Sequence, residues 1–290
     1  MGFDVSWHPI SQTEMRRWYF DRLPEVRRGD LSGLEAVLER YQPGKEKGHQ
    51  DFCRKSYREM LVQGTKIGPD EPFAKTHGFI LAAVQGLFRP YYYTRGGAFS
   101  FLVAEYPELA AYTLPYEEIV GEQFPGPLES RLSENYSGGV FIPENQIPRL
   151  ASAYMNGTIR PQLEECFGNA LPVFLKALGH AGKEGLGLLE ATEVVEPNPL
   201  DLASTACCSY LINCDPEGVM LYAETAKAQL ETAIRAGGGD PATAQTVREV
   251  RVEQTPPPAP PRAPEPPRAP AAPAEPPKKK GFFSRLFGEK

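Results

Sequence analysis

Twelve of the 23 residues from Thr255 to Pro277 are proline, and each one removes a backbone N–H and fixes φ, so neither helix nor sheet can run through them. A stretch of this kind is a disordered, extended polyproline-like linker, reaching about 70 Å at about 3.1 Å per residue. It separates a long body from a short ending, residues 278–290.

That ending reads Lys278, Lys279, Lys280, Gly281, Phe282, Phe283, Ser284, Arg285, Leu286, Phe287, Gly288, Glu289, Lys290. As a helix it places Phe282, Phe283, Leu286 and Phe287 on one side and Arg285 with Glu289 on the other. So few residues do not hold a helix alone in water, which makes it a peptide that folds on contact. Complete burial of the four apolar side chains would contribute up to about 6–12 kcal/mol, at about 1.5–3 kcal/mol each. Each lysine adds about 1 kcal/mol beside an anionic surface. Ordering and incomplete burial remove much of this, leaving a reversible anchor. As an architecture, the linker and peptide resemble the C-terminal docking tails by which bacterial proteins attach to a membrane surface, a polymer or a protein shell. The resemblance covers residues 255–290 only and implies a docking role for Lys278, Lys279, Lys280, Phe282, Phe283, Arg285, Leu286 and Phe287.

Charge separates the same way. The linker is neutral, residues 278–290 carry +4 and the whole chain −6, so residues 1–254 carry −10. An acidic body argues against nucleic acid, which needs clustered Lys and Arg to displace counterions. The basic ending points to an anionic membrane surface or an acidic protein groove as its target, and the body is expected to engage a protein partner. Five cysteines, an odd number, without an uninterrupted apolar stretch near Met1, imply free thiols in a reducing cytoplasm, peripheral at most to an inner membrane. Met1 to Ser6 fits the loose myristoylation pattern and reads equally as the start of a strand leading into Trp7.

The body reads as α+β: a helix-dominated single globular domain with a small β element over residues 1–236, then a polar transition over 237–254. Ser11 with Glu14, and Ser32 with Glu35, have capping-box spacing ahead of apolar periodicity. Further helices are expected over 50–63, 72–88, 144–155, 171–178 and 216–234, the last capped by Asp215 with Pro216 in its first turn. Gly96 and Gly97 between β-rich residues suggest a hairpin, with strand then helix as the competitor. Strands are expected over 139–142 and 187–195.

No nucleophile elbow, Walker loop or dinucleotide turn is present, and no cofactor is implied. Cys207, Cys208 and Cys214 lack the paired spacing of a zinc site, as does Cys53 with His49, and read as packed thiols with no metal. His8 and His180 read as loop residues and His77 as a core histidine. The best ligand segment is the polar loop ending in Asn135, Tyr136, Ser137 and two glycines, with Tyr92 and Arg95 as an aromatic and cationic wall. These features favour a non-enzymatic adaptor. The alternatives are a tail-targeted enzyme with a pocket near residues 91–95 and 135–139, and an immunity-like or effector-accessory protein that neutralises a basic partner.

Overall fold

Asp4–Ile10 (β1) sits at the centre of the molecule, paired along both edges and covered on both faces. The computed structural model describes residues 3–41, 46–68, 75–121, 124, 128, 132 and 135–244. After β1, the Ser11–Glu14 capping box forms as its spacing predicts, each side chain accepting from the other residue's backbone N–H, and starts Gln12–Met15 (α1). A π-turn over Arg16–Phe20 leads to Arg22–Arg27 (α2), Ser32–Tyr41 (α3), Lys47–Gly64 (α4) and His77–Phe88 (α5). The second expected capping box does not form. Ser32 lies inside α3 and donates its N–H and hydroxyl to Asp30, whose short side chain reaches both, while Glu35 turns to Arg54. Thr76 caps α5 by accepting the Phe79 N–H, so this helix begins at His77 rather than 72. Residues 69–74 lie outside the described residues.

Tyr92–Arg95 (β2) is followed by Phe99–Glu105 (α6), which is the strand-then-helix alternative and not the hairpin. The cause is remote in sequence. Glu190 Oε2 accepts the N–H groups of Phe99 and Ser100 at 2.5 and 3.2 Å and so caps α6 from inside the core. Gly139 leaves room for this side chain, because a Cβ there would stand 2.0 Å from Glu190 Oε1. Tyr116–Val120 (α7), Gly138–Ile142 (β3), Ile147–Met155 (α8), Arg160–Phe167 (α9) and Leu171–Glu184 (α10) come next. α10 runs past 178 because Ala177, Leu178 and Ala181 keep packing into the core, so His180 is helical and not in a loop. Gly185, left-handed at φ 66°, ends it. The strand expected over 187–195 is cut into Gly187–Thr192 (β4) and Val195–Glu196 (β5) by Glu193 at φ 59°. Ala206–Cys207 (β6) pairs with β5, and Pro216–Ala236 (α11) closes the body with the expected Asp215 cap.

The four-stranded sheet has the order β2-β1-β4-β3, antiparallel throughout. Side chains alternate along β1, so its two faces feed two cores. Val5 and Trp7 join the core shared with α6 and α8 to α10, where the Trp7 and Phe174 rings lie 4.7 Å apart. Ile10 joins the core built with α1 to α5. A small third cluster of Tyr91, Tyr93, Val195 and Cys214 lies where α11 rests on β2. Contact there is close, since a Cβ on Gly218 would stand 1.8 Å from the Tyr93 carbonyl oxygen. Met1–Ala244 forms one compact unit, and Gln245–Lys290 falls outside it. Among the described residues no helix is long and apolar enough to cross a membrane.

Candidate functional site

The two segments singled out as a ligand wall both reach the same end of the sheet, but β1 and β4 stand between them. On β2, Arg95 forms an ion pair with Asp4 at 2.6 Å and lies over the Tyr222 ring at 4.9 Å. The Tyr93 hydroxyl donates to the same Asp4 oxygen. Tyr92 turns to the opposite face, its hydroxyl 2.8 Å from His180 Nδ1. Across the sheet, Ser137 exchanges backbone and hydroxyl hydrogen bonds with Thr192. Tyr136 donates to Glu196, with the Lys75 ammonium 5.4 Å from its ring. Asn135 is exposed in the preceding turn.

Between the two segments, Glu193 donates its N–H to the Asp4 carbonyl. Glu193 at φ 59° and Tyr136 at φ 58° are both left-handed, a conformation that costs a side-chain-bearing residue about 1–2 kcal/mol. Burial raises the Glu193 carboxyl to about 7, helped by the negative charges of Asp4 and Glu196. The sheet end is therefore strained and carries a carboxyl that titrates near neutrality.

Cavities do not unite these groups. One of about 450 Å³ opens beside Arg95 and is lined by Asn169, Leu221, Tyr222, Thr225 and Gln229. Neither Glu193 nor residues 135–137 line it, so the Arg95 wall and the polar loop share no pocket. Apart from Arg95 and Tyr222, its lining has no titratable side chain. Its polar lining offers hydrogen bonds from Asn169, Thr225 and Gln229 beside the Arg95 cation.

A second arrangement has the connectivity of a catalytic triad. Ser6 Oγ lies 2.9 Å from His8 Nε2, and His8 Nδ1 lies 2.7 Å from Gln85 Oε1. The Gln85 amide nitrogen already donates to the Pro9 and Pro90 carbonyls, so Oε1 must accept. Burial lowers His8 to about 3, so the ring is neutral and its single N–H sits on Nδ1. Nε2 then accepts the Ser6 hydroxyl. All three residues are buried, His8 and Gln85 with no exposure at all, and none lines a described cavity. The network ties β1 to α5, so His8 is a buried strand residue and not in a loop. His77, as expected of a core histidine, pairs with the Tyr19 hydroxyl at 2.7 Å and is lowered to about 4 by burial.

The cysteines are free. Burial pushes Cys53 and Cys166 up to about 11 and Cys214 to about 12, and raises Cys207 and Cys208 as well. They are protonated at neutral pH and poor nucleophiles. Cys53 Sγ and His49 Nε2 do meet, at 3.5 Å. Among the described residues no group of His, Cys, Asp and Glu is placed to hold a metal.

Cys207 and Cys208 line a slot of about 210 Å³ between α4 and α5, walled by Phe52, Met60, Phe79 and Ile80. Sequence reading missed this slot. The one signal was Phe52, an aromatic residue one step off the buried stripe of α4 and 43% exposed. It also missed the carboxyl at Glu190, although an acid inside Leu188-Leu189-Glu190-Ala191 marks a buried charge. Glu190 is fully buried, and burial raises it to about 7 against the opposing amides of Ser100, Phe99 and Val140. The docking residues Lys278 to Lys280, Phe282, Phe283, Arg285, Leu286 and Phe287 lie outside the described residues. No protein-family model, curated protein or solved structure matches the chain.

Proposed function

We propose that this protein is a non-enzymatic adaptor. Its folded body engages a protein partner, and residues 278–290, carried on the proline-rich linker, make a second, weak contact with an anionic surface. The carrying observation is the division of the chain: a compact unit complete at Ala244, followed after the linker by three lysines and the Phe282, Phe283, Leu286, Phe287 cluster. Joining two weak contacts through a linker raises the local concentration of the second site and strengthens overall binding without new contacts. The lining of the Arg95 cavity also favours binding over chemistry.

The test compares the full chain with a chain ending at Gln254, by localisation in cells and by cosedimentation with vesicles containing or lacking anionic lipid. Recruitment that depends on the last residues supports the reading. Cosedimentation restricted to anionic vesicles and weakened by salt identifies the surface as lipid, whereas recruitment without vesicle binding identifies it as protein. Equal behaviour of the two chains in every assay would remove the docking role.

A further inference from the structure

The negative charge of the body is not spread evenly. Residues 11–68, which contain α1 to α4, hold twelve Lys and Arg against nine Asp and Glu, whereas residues 69–254 hold twelve against twenty-four. The helices on one side of the sheet are thus the basic part of the body. Within them α4 presents Lys55 and Arg58 on its exposed face, and Lys66 is exposed in the turn that follows it. Arg54 on the same helix is matched by Glu35, but among the described residues no carboxylate forms an ion pair with Lys55, Arg58 or Lys66.

This basic flank borders the slot between α4 and α5. Helical spacing puts Phe52, Ser56 and Met60 next to the line of Lys55, Glu59 and Gln63, and Glu59 with Gln63 forms the lip between slot and flank. On the opposite lip the Lys75 ammonium stands 5.3 Å from the Phe79 ring. At about 210 Å³, the slot is smaller than the roughly 300–1,000 Å³ of small-molecule pockets and close to the volume of one large side chain. A slot of that size, with Phe52, Met60, Phe79 and Ile80 on its walls and polar and charged groups around them, has the anatomy of an anchor site in a protein interface, where one buried aromatic or aliphatic residue dominates affinity.

We propose that the slot and its flank are the surface by which the body takes an acidic segment of a partner protein. One phenylalanine-like or leucine-like side chain enters between Phe52 and Phe79, and carboxylates on either side of it meet Lys55, Arg58, Lys66 and Lys75. Among the described residues, Asp51 and Glu59 are the opposing charges on this flank. The acidic remainder of the body repels the same segment and so directs it to α4, as charge complementarity steers encounter and register. This proposal rests on the adaptor reading and names the chemistry of its partner, which is acidic and not basic.

The experiment uses the full chain and three fluorescent probes, read by anisotropy at about 0.1 M salt: a peptide of glutamates interrupted by two phenylalanines, the same peptide with lysines for glutamates, and a single-stranded oligonucleotide. The glutamate peptide is expected to bind tightest and to slow alkylation of Cys208, which lines the slot. Lys55→Glu with Arg58→Glu should weaken it by about tenfold or more. Phe52→Ala should weaken it comparably, without shifting the unfolding midpoint because that ring is 43% exposed. Peptide held only by Lys278, Lys279 and Lys280 would bind both variants as it binds the wild type. Unchanged binding by both variants overturns the proposal, as does a lysine peptide or oligonucleotide that binds as well as the glutamate peptide. Failure here with recruitment still lost on truncation at Gln254 sinks the surface and leaves the adaptor standing; the reverse pattern sinks the docking role alone.

Discussion

Replacing Glu190 by Gln should change how stability depends on pH more than it changes the fold. Its carboxyl moves from an ordinary 4.5 to about 7 because burial penalises the charged form. The folded protein therefore keeps this proton up to about pH 7, whereas the unfolded chain releases it near 4.5. Its contribution to folding is complete below pH 4.5 and drains away as pH rises through 7. At about 1.4 kcal/mol per pH unit between those limits, the difference between pH 5 and pH 8 is about 2.5 kcal/mol. Two buried histidines act in the opposite sense. His8, lowered to about 3, and His77, lowered to about 4, stay neutral in the fold while the unfolded chain protonates near 6.5, so each costs about 2 kcal/mol on going from pH 8 to pH 5. Glu193, also near 7, works with Glu190. In the wild type these opposing groups largely cancel and give a shallow profile. Glu190→Gln keeps the histidine loss and removes the glutamate gain, so the variant should fall away from the wild type on acidification by about 2.5 kcal/mol, on the order of 1 M in urea midpoint. Urea unfolding at pH 5, 6, 7 and 8, followed by the fluorescence of buried Trp7 and Trp18, reads this directly. A stability difference between the two proteins that stays constant from pH 5 to pH 8 would refute the assignment of a buried, protonated Glu190.

Gly218→Ala would put a methyl group 1.8 Å from the Tyr93 carbonyl oxygen, forcing α11 off β2; a loss of about 1–3 kcal/mol in urea unfolding is expected, and an unchanged midpoint would refute the close contact. Glu193→Gly relieves the left-handed backbone at φ 59° and removes a carboxyl crowded by Asp4 and Glu196, so at pH 8 it should stabilise the protein by about 1 kcal/mol, whereas destabilisation would show that the side chain is needed. Gln85→Ala leaves the His8 Nδ1–H without its acceptor and takes the side-chain donor from the Pro9 and Pro90 carbonyls, and should cost about 2–4 kcal/mol. In the wild type, Ser6 should remain unlabelled by a fluorophosphonate probe, since it is buried; labelling would show that the Ser6-His8-Gln85 network is reachable and reopen a catalytic reading.

Sequence patterns located the elements whose causes are local and misplaced those whose causes are distant. The Ser11–Glu14 box and the Asp215 cap each depend on residues within one turn, and each is where its spacing puts it. The turn after Arg95 was decided instead by Glu190, about 90 positions away, whose carboxyl oxygen accepts the first amides of α6 and makes a helix cheaper than a second strand. His8 was read from its proline neighbour and His180 from its glycine neighbour, yet burial against α5 and the extension of α10 fixed both. The candidate binding surface was hidden for a related reason. Net charge summed over residues 1–254 hides the segregation of basic residues on one side of the sheet, because the sum keeps no record of which helices face the same way. The slot likewise joins Phe52, Phe79 and Cys208, three residues with no common periodicity. The proposed partner-binding face is therefore tertiary in origin: α4 and α5 bring Phe52, Met60, Phe79 and Ile80 beside unmatched cations, and the proposal of an acidic partner rests on that pairing, whereas net charge alone offered a basic partner as one alternative.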